Sequence, residues 1–309
     1  MQALLDAIAR ATPGPDACRI FHGRGGLYPG CEHLSLDWYA PVWVLTSFQP
    51  LSEAELQAVH AALAQRPEPL NWVYQCRQSG QAGTETRLMD GSVPEPHGVT
   101  EQGARYRVHV LKGQNHGLFL DMACGRQWLR EHAQGRRVLN LFAYTCAFSV
   151  AALQGGAAEV VNVDMAAGAL AIGQHNHQLN ALNGARFLAH DLFKSWGKVK
   201  RMGPYDIVVA DPPSFQKGSF VASKDYARVV RRLPELLTPG GQALLCLNAP
   251  ELPSQFLLDL VAAEAPELRF VQRLDNPAAF GDVEPERALK VLLFELPETG
   301  AATALRASQ

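Results

Sequence analysis

The 309-residue chain is 47% hydrophobic and 19% charged, which gives enough apolar content for the cores of two domains. Its formal net charge of -2 at pH 7 argues against retention on nucleic acid by overall charge, although a local basic patch could still bind one. No membrane-length apolar run, basic leader or Cys-x-x-Cys pair is present. We therefore expect no membrane span, secretory signal, structural zinc or disulfide, and a reducing cytoplasm fits best.

The first predicted domain covers residues 1–95 and mixes helices with strands. Its predicted elements are an amphipathic helix ending before Pro13, a glycine-dense loop at 21–30, a strand at 42–48, a helix from the Ser52/Glu55 capping box to about Ala64, and a strand at 70–77. The following stretch, 78–98, is rich in Gly and Pro and poor in apolar residues. It is expected to be a linker or exposed loop.

The second predicted domain covers residues 96–297 and precedes a tail at 298–309. It begins with a predicted hairpin of two segments, 106–111 and 117–121. Strands and helices then alternate, with strands at 138–141, 159–164, 186–189, 205–210, 242–247, 268–274 and 288–296, and helices at 166–182, 225–237 and 254–265. A further helix-length segment lies between the turn at 142–146 and Gly155. This order predicts an α/β fold with a mainly parallel, doubly wound sheet and an antiparallel edge.

The β-α-β unit at 138–164 is typical of nucleoside-binding proteins. The turn after its first strand exposes backbone N–H groups at a helix start, and Asp164 ends its second strand, where a carboxylate can accept both ribose hydroxyls. The turn itself, 142–146, has no glycine and holds Phe142 and Tyr144. A pyrophosphate would fit badly there, whereas S-adenosylmethionine needs no such close approach. Its adenosine could pack on these rings, with Thr145 supplying a hydroxyl.

Two further acids follow strands of the same predicted sheet. Asp191 follows the strand at 186–189, and Asp211 follows the strand at 205–210. Ligands of such sheets bind at the carboxyl ends of the strands, where Asp164 also falls. We expect Asp191 and Leu192 to bracket the adenine.

The segment Asp-Pro-Pro-Ser-Phe at 211–215 is the sharpest motif. Two prolines remove two backbone donors and stiffen the loop, so the Pro212 carbonyl and the Asp211 carboxylate become fixed acceptors beside a sulfonium. Phe215 can stack on a planar base. Asp211, Pro212 and Phe215 are therefore the predicted catalytic residues.

Five segments carry a resemblance to a known family: 117–121, 139–145, 163–165, 211–215 and 285–292. The chain resembles the bacterial large-subunit ribosomal RNA methyltransferases of the S-adenosylmethionine-dependent class I type, a group with cytosine-5 enzymes and a guanine-N7 domain. The resemblance implies a seven-stranded Rossmann-like sheet. The cofactor-binding residues then predicted are Phe119, Asp121, Asn140, Phe142, Tyr144, Thr145, Asp164, Met165, Asp191, Leu192 and Asp211. The chain departs from the family at Ala123, where relatives have a basic residue, and no complete PUA domain fits before residue 40.

The methylated base depends on whether a cysteine acts as nucleophile. Cytosine C5 needs a thiolate to add at C6, whereas a purine nitrogen can attack a methyl group directly. By the resemblance, the position of the cytosine-5 cysteine is occupied by Asn248, as in the guanine-N7 domain, and Cys246 lies two residues earlier. The sequence therefore favours a purine nitrogen and a core role for Cys246.

Two alternatives remain at this point: a methyltransferase for a small molecule or protein, and an RNA-binding module without catalysis. RNA is the predicted partner, and the resemblance implies ribosomal RNA. No metal or membrane is expected, and the oligomeric state is open, a homodimer included. A basic run after the proline loop could hold phosphates beside the target base. It consists of Lys217, Lys224, Arg228, Arg231 and Arg232.

Overall fold

The structure is a computed structural model that describes residues 1–78, 83–216 and 219–298. Lys217 of the basic run and all but the first residue of the predicted tail lie outside the described residues. The chain divides into two compact units, one of 1–123 with 277–285 and one of 124–276 with the chain from 286 onward. The predicted domain boundary at 95/96 falls within the first unit, and that functional division stays a prediction.

The first unit contains a five-stranded sheet in the order β1-β2-β3-β4-β5, in which only β3 and β4 run parallel. The parallel pair is joined through helix α2, which begins at the predicted capping box, with the Ser52 and Glu55 side chains each accepting the other residue's backbone N–H. The elements are α1 Gln2–Arg10, β1 Cys18–His22, β2 Leu34–Tyr39, β3 Val42–Ser47, α2 Glu53–Ala64, β4 Trp72–Arg77 and β5 Thr84–Asp90.

Two predictions for this unit were wrong. The stretch 21–30 is not wholly a loop, because β1 includes Phe21 and a 3-10 turn covers Gly23–Gly25. A Cβ on Gly23 would lie 1.8 Å from the Cys31 carbonyl, so glycine there serves close backbone packing. The expected linker at 78–98 contains β5, an edge strand whose polar, half-exposed residues lack an apolar pattern; residues 79–82 lie outside the described part.

The predicted hairpin exists but is displaced along the chain. It consists of β6 His97–Glu101 and β7 Ala104–Val108. Gln102 and Gly103 both have positive φ, as a two-residue hairpin turn requires. The segment 117–121 is not a strand; it leads into a 3-10 turn, Leu120–Met122.

The second unit contains a seven-stranded sheet in the order β10-β9-β8-β11-β14-β16-β15, which confirms the predicted fold class. Strand β16 is antiparallel to both of its neighbours, β14 and the outermost strand β15, so the sheet ends in an antiparallel pair, as predicted. The strands of this sheet are β8 Arg137–Leu141, β9 Glu159–Asp164, β10 Ala185–Ala189, β11 Tyr205–Ala210, β14 Leu237–Leu247, β15 Arg269–Leu274 and β16 Lys290–Glu295. Two short strands, β12 Phe215–Gln216 and β13 Phe220–Val221, form a separate antiparallel pair.

Helices cover both faces of this sheet's strands, as a doubly wound order requires. The predicted helix at 225–237 is two helices, because Pro234 in the first turn of the second one starts a new helix. Helices α3 and α6 were not predicted. The helices are α3 Ala123–His132, α4 Ala147–Gln154, α5 Ala167–Leu179, α6 Trp196–Met202, α7 Ala222–Val230, α8 Leu233–Leu236 and α9 Ser254–Glu264.

Candidate active site

The sheet order brings the three predicted acids to one edge of the second unit. Asp164 is the last residue of β9, Asp191 lies two residues after β10, and Asp211 follows β11 directly. Strands β10, β9, β8 and β11 are parallel neighbours, so their carboxyl ends lie side by side. The acids therefore line the edge where such sheets bind ligands.

The turn after β8 has an unusual backbone. Phe142, Tyr144 and Cys146 all have positive φ, at 57°, 47° and 62°, a region that residues with a Cβ seldom adopt. Asp164 holds this turn: its Oδ2 accepts the Tyr144 N–H and its Oδ1 accepts the Ala166 N–H, each at 2.8 Å. The carboxylate thus fixes the turn and retains lone pairs for a ligand.

A buried polar network lies beneath this turn and includes one predicted site residue, Asn140. Asn140 is 1% exposed and its amide donates to Asn162, which in turn donates to Ser149. The Ser149 hydroxyl is 2.8 Å from His177 Nε2, and burial lowers the pKa of this histidine. The Asn140 side chain is therefore engaged in the core, and a contact of this residue with the cofactor stays a prediction.

Thr145 and Leu192 are buried rather than presented at the edge. Thr145 is 1% exposed, and its backbone carbonyl accepts the side-chain amide of Asn176 on α5. Leu192 is 6% exposed and belongs to the hydrophobic core. Asp191 beside it is half-buried; its Oδ1 accepts the Phe193 N–H and its Oδ2 lies 3.4 Å from Lys194 Nζ. Of this pair, Asp191 has the more accessible polar group.

The proline loop is tied to the end of β14. The Ser214 hydroxyl donates to the Asn248 carbonyl, and the Ser214 carbonyl accepts the Ala222 N–H at the start of α7. Asp211 is half-buried and Pro212 is buried, whereas the Phe215 ring is 69% exposed. An exposed aromatic on a braced loop is suited to stacking on a planar base.

An aromatic cluster lies beside this loop. The Phe142 ring contacts Phe220 edge to face at 5.2 Å, and Phe193 stacks on Phe220 at 6.3 Å. The guanidinium of Arg228, a member of the predicted basic run, lies 3.7 Å over the Phe193 ring. Its cation is held on an aromatic face, where cation-π attraction adds to its packing.

Cys246 and Asn248 differ sharply in accessibility. Cys246 is 0% exposed within β14, and its carbonyl accepts the Tyr226 hydroxyl at 2.9 Å. Asn248 is exposed just beyond the strand end. Burial raises the pKa of the Tyr226 hydroxyl well above its usual range, so it stays a neutral donor. The fully buried Cys246 thiol is poorly placed to reach a base in solution.

The remaining predicted residues are distributed between the units. Met165 follows Asp164 and is 52% exposed. Phe119, 40% exposed, and Asp121 belong to the first unit, where Asp121 lies in a 3-10 turn. Their contact with a cofactor stays a prediction.

The sequence reasoning missed three bracing residues of this edge: Tyr226, His177 and Lys290. Lys290 is completely buried. A lysine between the apolar residues Leu289 and Val291 is a signal that the sequence did contain, because a charged side chain in a buried segment needs a specific partner.

Comparison with known proteins places these features in a family. The family model described as S-adenosylmethionine-dependent methyltransferase matches residues 18–295. A curated relative from Aeromonas salmonicida, named ribosomal RNA large subunit methyltransferase I, is 31% identical over 76% of this chain and 62% of its own length. A protein of the same name from Erwinia tasmaniensis is 30% identical over 85% of this chain and 69% of its own. The chain thus spans less than two thirds of the length of the first of these relatives.

A solved structure agrees with the fold. A methyltransferase complexed with SAH superposes with a TM-score of 0.82 at 26% identity, covering 95% of this chain and 78% of that one. In the described residues, no helix reaches the length and hydropathy needed to cross a membrane.

Proposed function

The chain belongs to the S-adenosylmethionine-dependent methyltransferase family, and from that premise we propose that it methylates a base of RNA, most specifically 23S ribosomal RNA. Two large-subunit rRNA methyltransferases share 30 and 31% of their aligned residues with it. The proposal rests mainly on one observation. Asp164, Asp191 and the Asp-Pro-Pro-Ser-Phe loop of 211–215 all follow neighbouring parallel strands, at the carboxyl edge of the sheet. The reaction is placed in the cytoplasm.

The residues at this edge fit S-adenosylmethionine. Asp164 keeps lone pairs for ribose hydroxyls after accepting two backbone amides. The turn offers the Phe142 and Tyr144 side chains rather than a glycine cradle, which suits an adenosine without a pyrophosphate. Asp191 is proposed to accept from the adenine amino group. A cationic sulfonium is matched by acidic residues.

The cofactor, when bound, supplies an electrophilic methyl group. We propose that the Asp211 carboxylate and the Pro212 carbonyl act as fixed acceptors that orient the amino group of the target base. Phe215 stacks on that base and excludes water from one face. Arg228, held over Phe193, is proposed to contact the RNA backbone. These are the catalytic and substrate-binding roles that the predicted residues can fill.

The proposed target atom is a purine nitrogen. A cytosine-5 reaction needs a thiolate that can reach C6 of the base, and Cys246 is 0% exposed. The exposed residue at the end of β14 is Asn248, whose amide can donate to and accept from a base edge.

The test is transfer of tritium from labelled S-adenosylmethionine into ribosomal RNA of a strain that lacks this gene. We expect label in RNA of the deletion strain but not of the parent strain, because the parent RNA is already methylated. Mapping the labelled nucleotide identifies the base. Binding of S-adenosylmethionine by titration calorimetry without any transfer to RNA would instead favour a small-molecule or protein substrate, and absence of binding would favour a non-catalytic module.

A further inference from the structure

Lys290 begins β16 with a fully buried side chain, at 0% exposure. Its Nζ donates to the Ala249 carbonyl at 2.7 Å and to the Glu286 carbonyl at 2.8 Å. A buried ammonium loses its hydration, and hydrogen-bond acceptors must replace the water. An apolar side chain of the same length would avoid that cost, so packing alone does not explain a lysine here.

The position of Lys290 connects it to the candidate active site. In the antiparallel register of β14 and β16, Lys290 is paired with Leu247, the last residue of β14. The next residue is Asn248, which leaves the sheet at the edge that carries Asp211. Lys290 thus donates to the backbone one residue beyond Asn248.

The segment from Asn248 to Ser254 is held at both ends. At its start, the Asn248 carbonyl accepts the Ser214 hydroxyl, and the Ala249 carbonyl accepts Lys290. At its end, the Ser254 N–H and hydroxyl donate to the Glu286 carboxylate at 2.6 and 2.8 Å. One contact at each end comes from the same stretch of chain: Lys290 lies at the start of β16, and Glu286 lies in the turn before it. Both residues fall within the family-like segment 285–292.

We propose that Lys290 is a positioning residue that holds the Asn248 backbone against the Asp-Pro-Pro-Ser-Phe loop, so that the Asn248 side chain faces the target base. The inference rests on the proposed RNA methylation. Lys290 touches neither substrate nor cofactor in this scheme; it acts through Ala249 and Asn248. Loss of the ammonium then displaces a group that orients the base, and small displacements of such groups are costly to rate.

The first test is Lys290→Met, which keeps the side-chain length and removes the donor. We expect kcat for RNA methylation to fall by about 30-fold or more, with the RNA KM and the S-adenosylmethionine Kd within about twofold of wild type. The matched control is Lys200→Met, because Lys200 is an exposed lysine on α6 paired with Glu235. Its kcat is expected to stay within about twofold of wild type.

A double variant separates positioning from general destabilisation. If Lys290 and Ser214 fix the same carbonyl segment, Lys290→Met combined with Ser214→Ala should lose little more kcat than the worse single variant. If the fold-loss in kcat of the double variant equals the product of the two single losses, Lys290 acts elsewhere and the proposal is overturned. Equal kcat in wild type and folded Lys290→Met would overturn it as well.

Hydrogen exchange provides a readout that does not depend on RNA. Amides of 248–252 should exchange faster in Lys290→Met, with the rest of the sheet unchanged; an unchanged segment contradicts the proposal. If Lys290→Met does not fold, Lys290→Gln decides by the same two readouts, since it keeps a polar donor but removes the ammonium that reaches both the Ala249 and the Glu286 carbonyls. If wild type transfers no methyl group to RNA, the proposed function fails. Hydrogen exchange at 248–252 still tests whether Lys290 holds this segment.

Discussion

Asp164 combines an observed structural role with a proposed role in cofactor binding. The sequence predicts a ribose ligand, and the structure adds that both carboxylate oxygens already accept backbone amides, from Tyr144 and Ala166. One carboxylate therefore fixes the turn and, in the proposed site, has remaining lone pairs for the cofactor. Pre-ordering of the turn by the same residue lowers the entropy that the cofactor must remove on binding.

Asp164→Ala is predicted to weaken S-adenosylmethionine binding at least about tenfold, because charged hydrogen bonds contribute about 1.5 to 3 kcal/mol each. Calorimetry on folded protein measures this. Asp259→Ala is the control, since Asp259 is an exposed carboxylate on α9 that pairs only locally with Gln255 among the described residues. An unchanged Kd in folded Asp164→Ala would remove Asp164 from the cofactor site.

Cys246→Ser is predicted to keep most activity, because transfer to a purine nitrogen forms no covalent adduct with the enzyme. Asp211→Ala should lose activity, since the acceptor that orients the base is gone. Initial rates with tritiated cofactor measure both. A stable adduct between wild type and RNA containing 5-fluorocytidine, absent in Cys246→Ser, would overturn the choice of base.

At the scale of elements, helix α5 supports the cofactor turn through a glycine. A Cβ on Gly173 would lie 2.5 Å from the Cys146 sulfur and 3.0 Å from its Cβ. Three residues on, Asn176 donates to the Thr145 carbonyl at 3.0 Å. The turn and the helix are therefore in direct contact, and an added methyl group must push them apart.

Gly173→Ala is predicted to lower both the melting temperature and the affinity for S-adenosylmethionine, because overpacking of this kind costs about 1 to 3 kcal/mol. Gly168→Ala on the same helix is the matched control. Nothing lies within 4 Å of a Cβ there, so this change should stabilise by about 0.5 to 1 kcal/mol. Calorimetric melting and binding measure the pair; equal behaviour of the two variants would contradict the contact.

Much of the second unit could be predicted because its elements have strong periodic patterns. The strand predicted at 205–210 is β11, and the helix predicted at 254–265 is α9 within one residue. Apolar runs bounded by Gly and Pro are unambiguous there. In the first unit, β5 was missed, because it is an edge strand with few buried residues.

The candidate site could be predicted less completely than the sheet. Strand ends identified the acids, but positive φ at Phe142 and Tyr144 has no sequence signal, since nothing in their type demands it. Asn140 was predicted at the cofactor from the resemblance of 139–145, but the sequence did not predict that its side-chain amide donates to Asn162 in the core. Long-range partners such as Lys290 and Ala249 depend on the tertiary fold.

At the scale of the whole molecule, histidines whose pKa is lowered by burial or partial burial concentrate in one unit. Burial makes the largest contribution to the lowered pKa of four histidines, which all belong to the first unit: His22, His97, His109 and His116. The pKa of His22 falls to about 4 and that of His116 to about 3. Neighbouring arginines add to burial, Arg19 beside His22 and Arg77 beside His116. The first unit should therefore be the more acid-sensitive one.

The sign follows from proton linkage. A histidine titrates near pH 6.5 in the unfolded chain, whereas His116, 6% exposed, stays neutral in the folded protein until about pH 3. Between these values the unfolded state binds the extra proton, so the free energy of unfolding decreases as the pH falls. The slope is about 1.4 kcal/mol per pH unit for one proton, or about 2 kcal/mol between pH 6.5 and 5. Carboxylates titrate mainly below this window.

His116→Phe is predicted to remove about 2 kcal/mol of that acid loss, because phenylalanine keeps a ring against Tyr39 and binds no proton. Urea unfolding at pH 7 and pH 5 measures the difference for each protein. Tyr39→Phe is the control: it removes the hydroxyl that donates to the Leu118 carbonyl but retains His116, so it should lower stability equally at both pH values. If His116→Phe lost as much stability as wild type between pH 7 and pH 5, the acid sensitivity would have to come from the other histidines of the unit, and His116 would carry no protonation penalty.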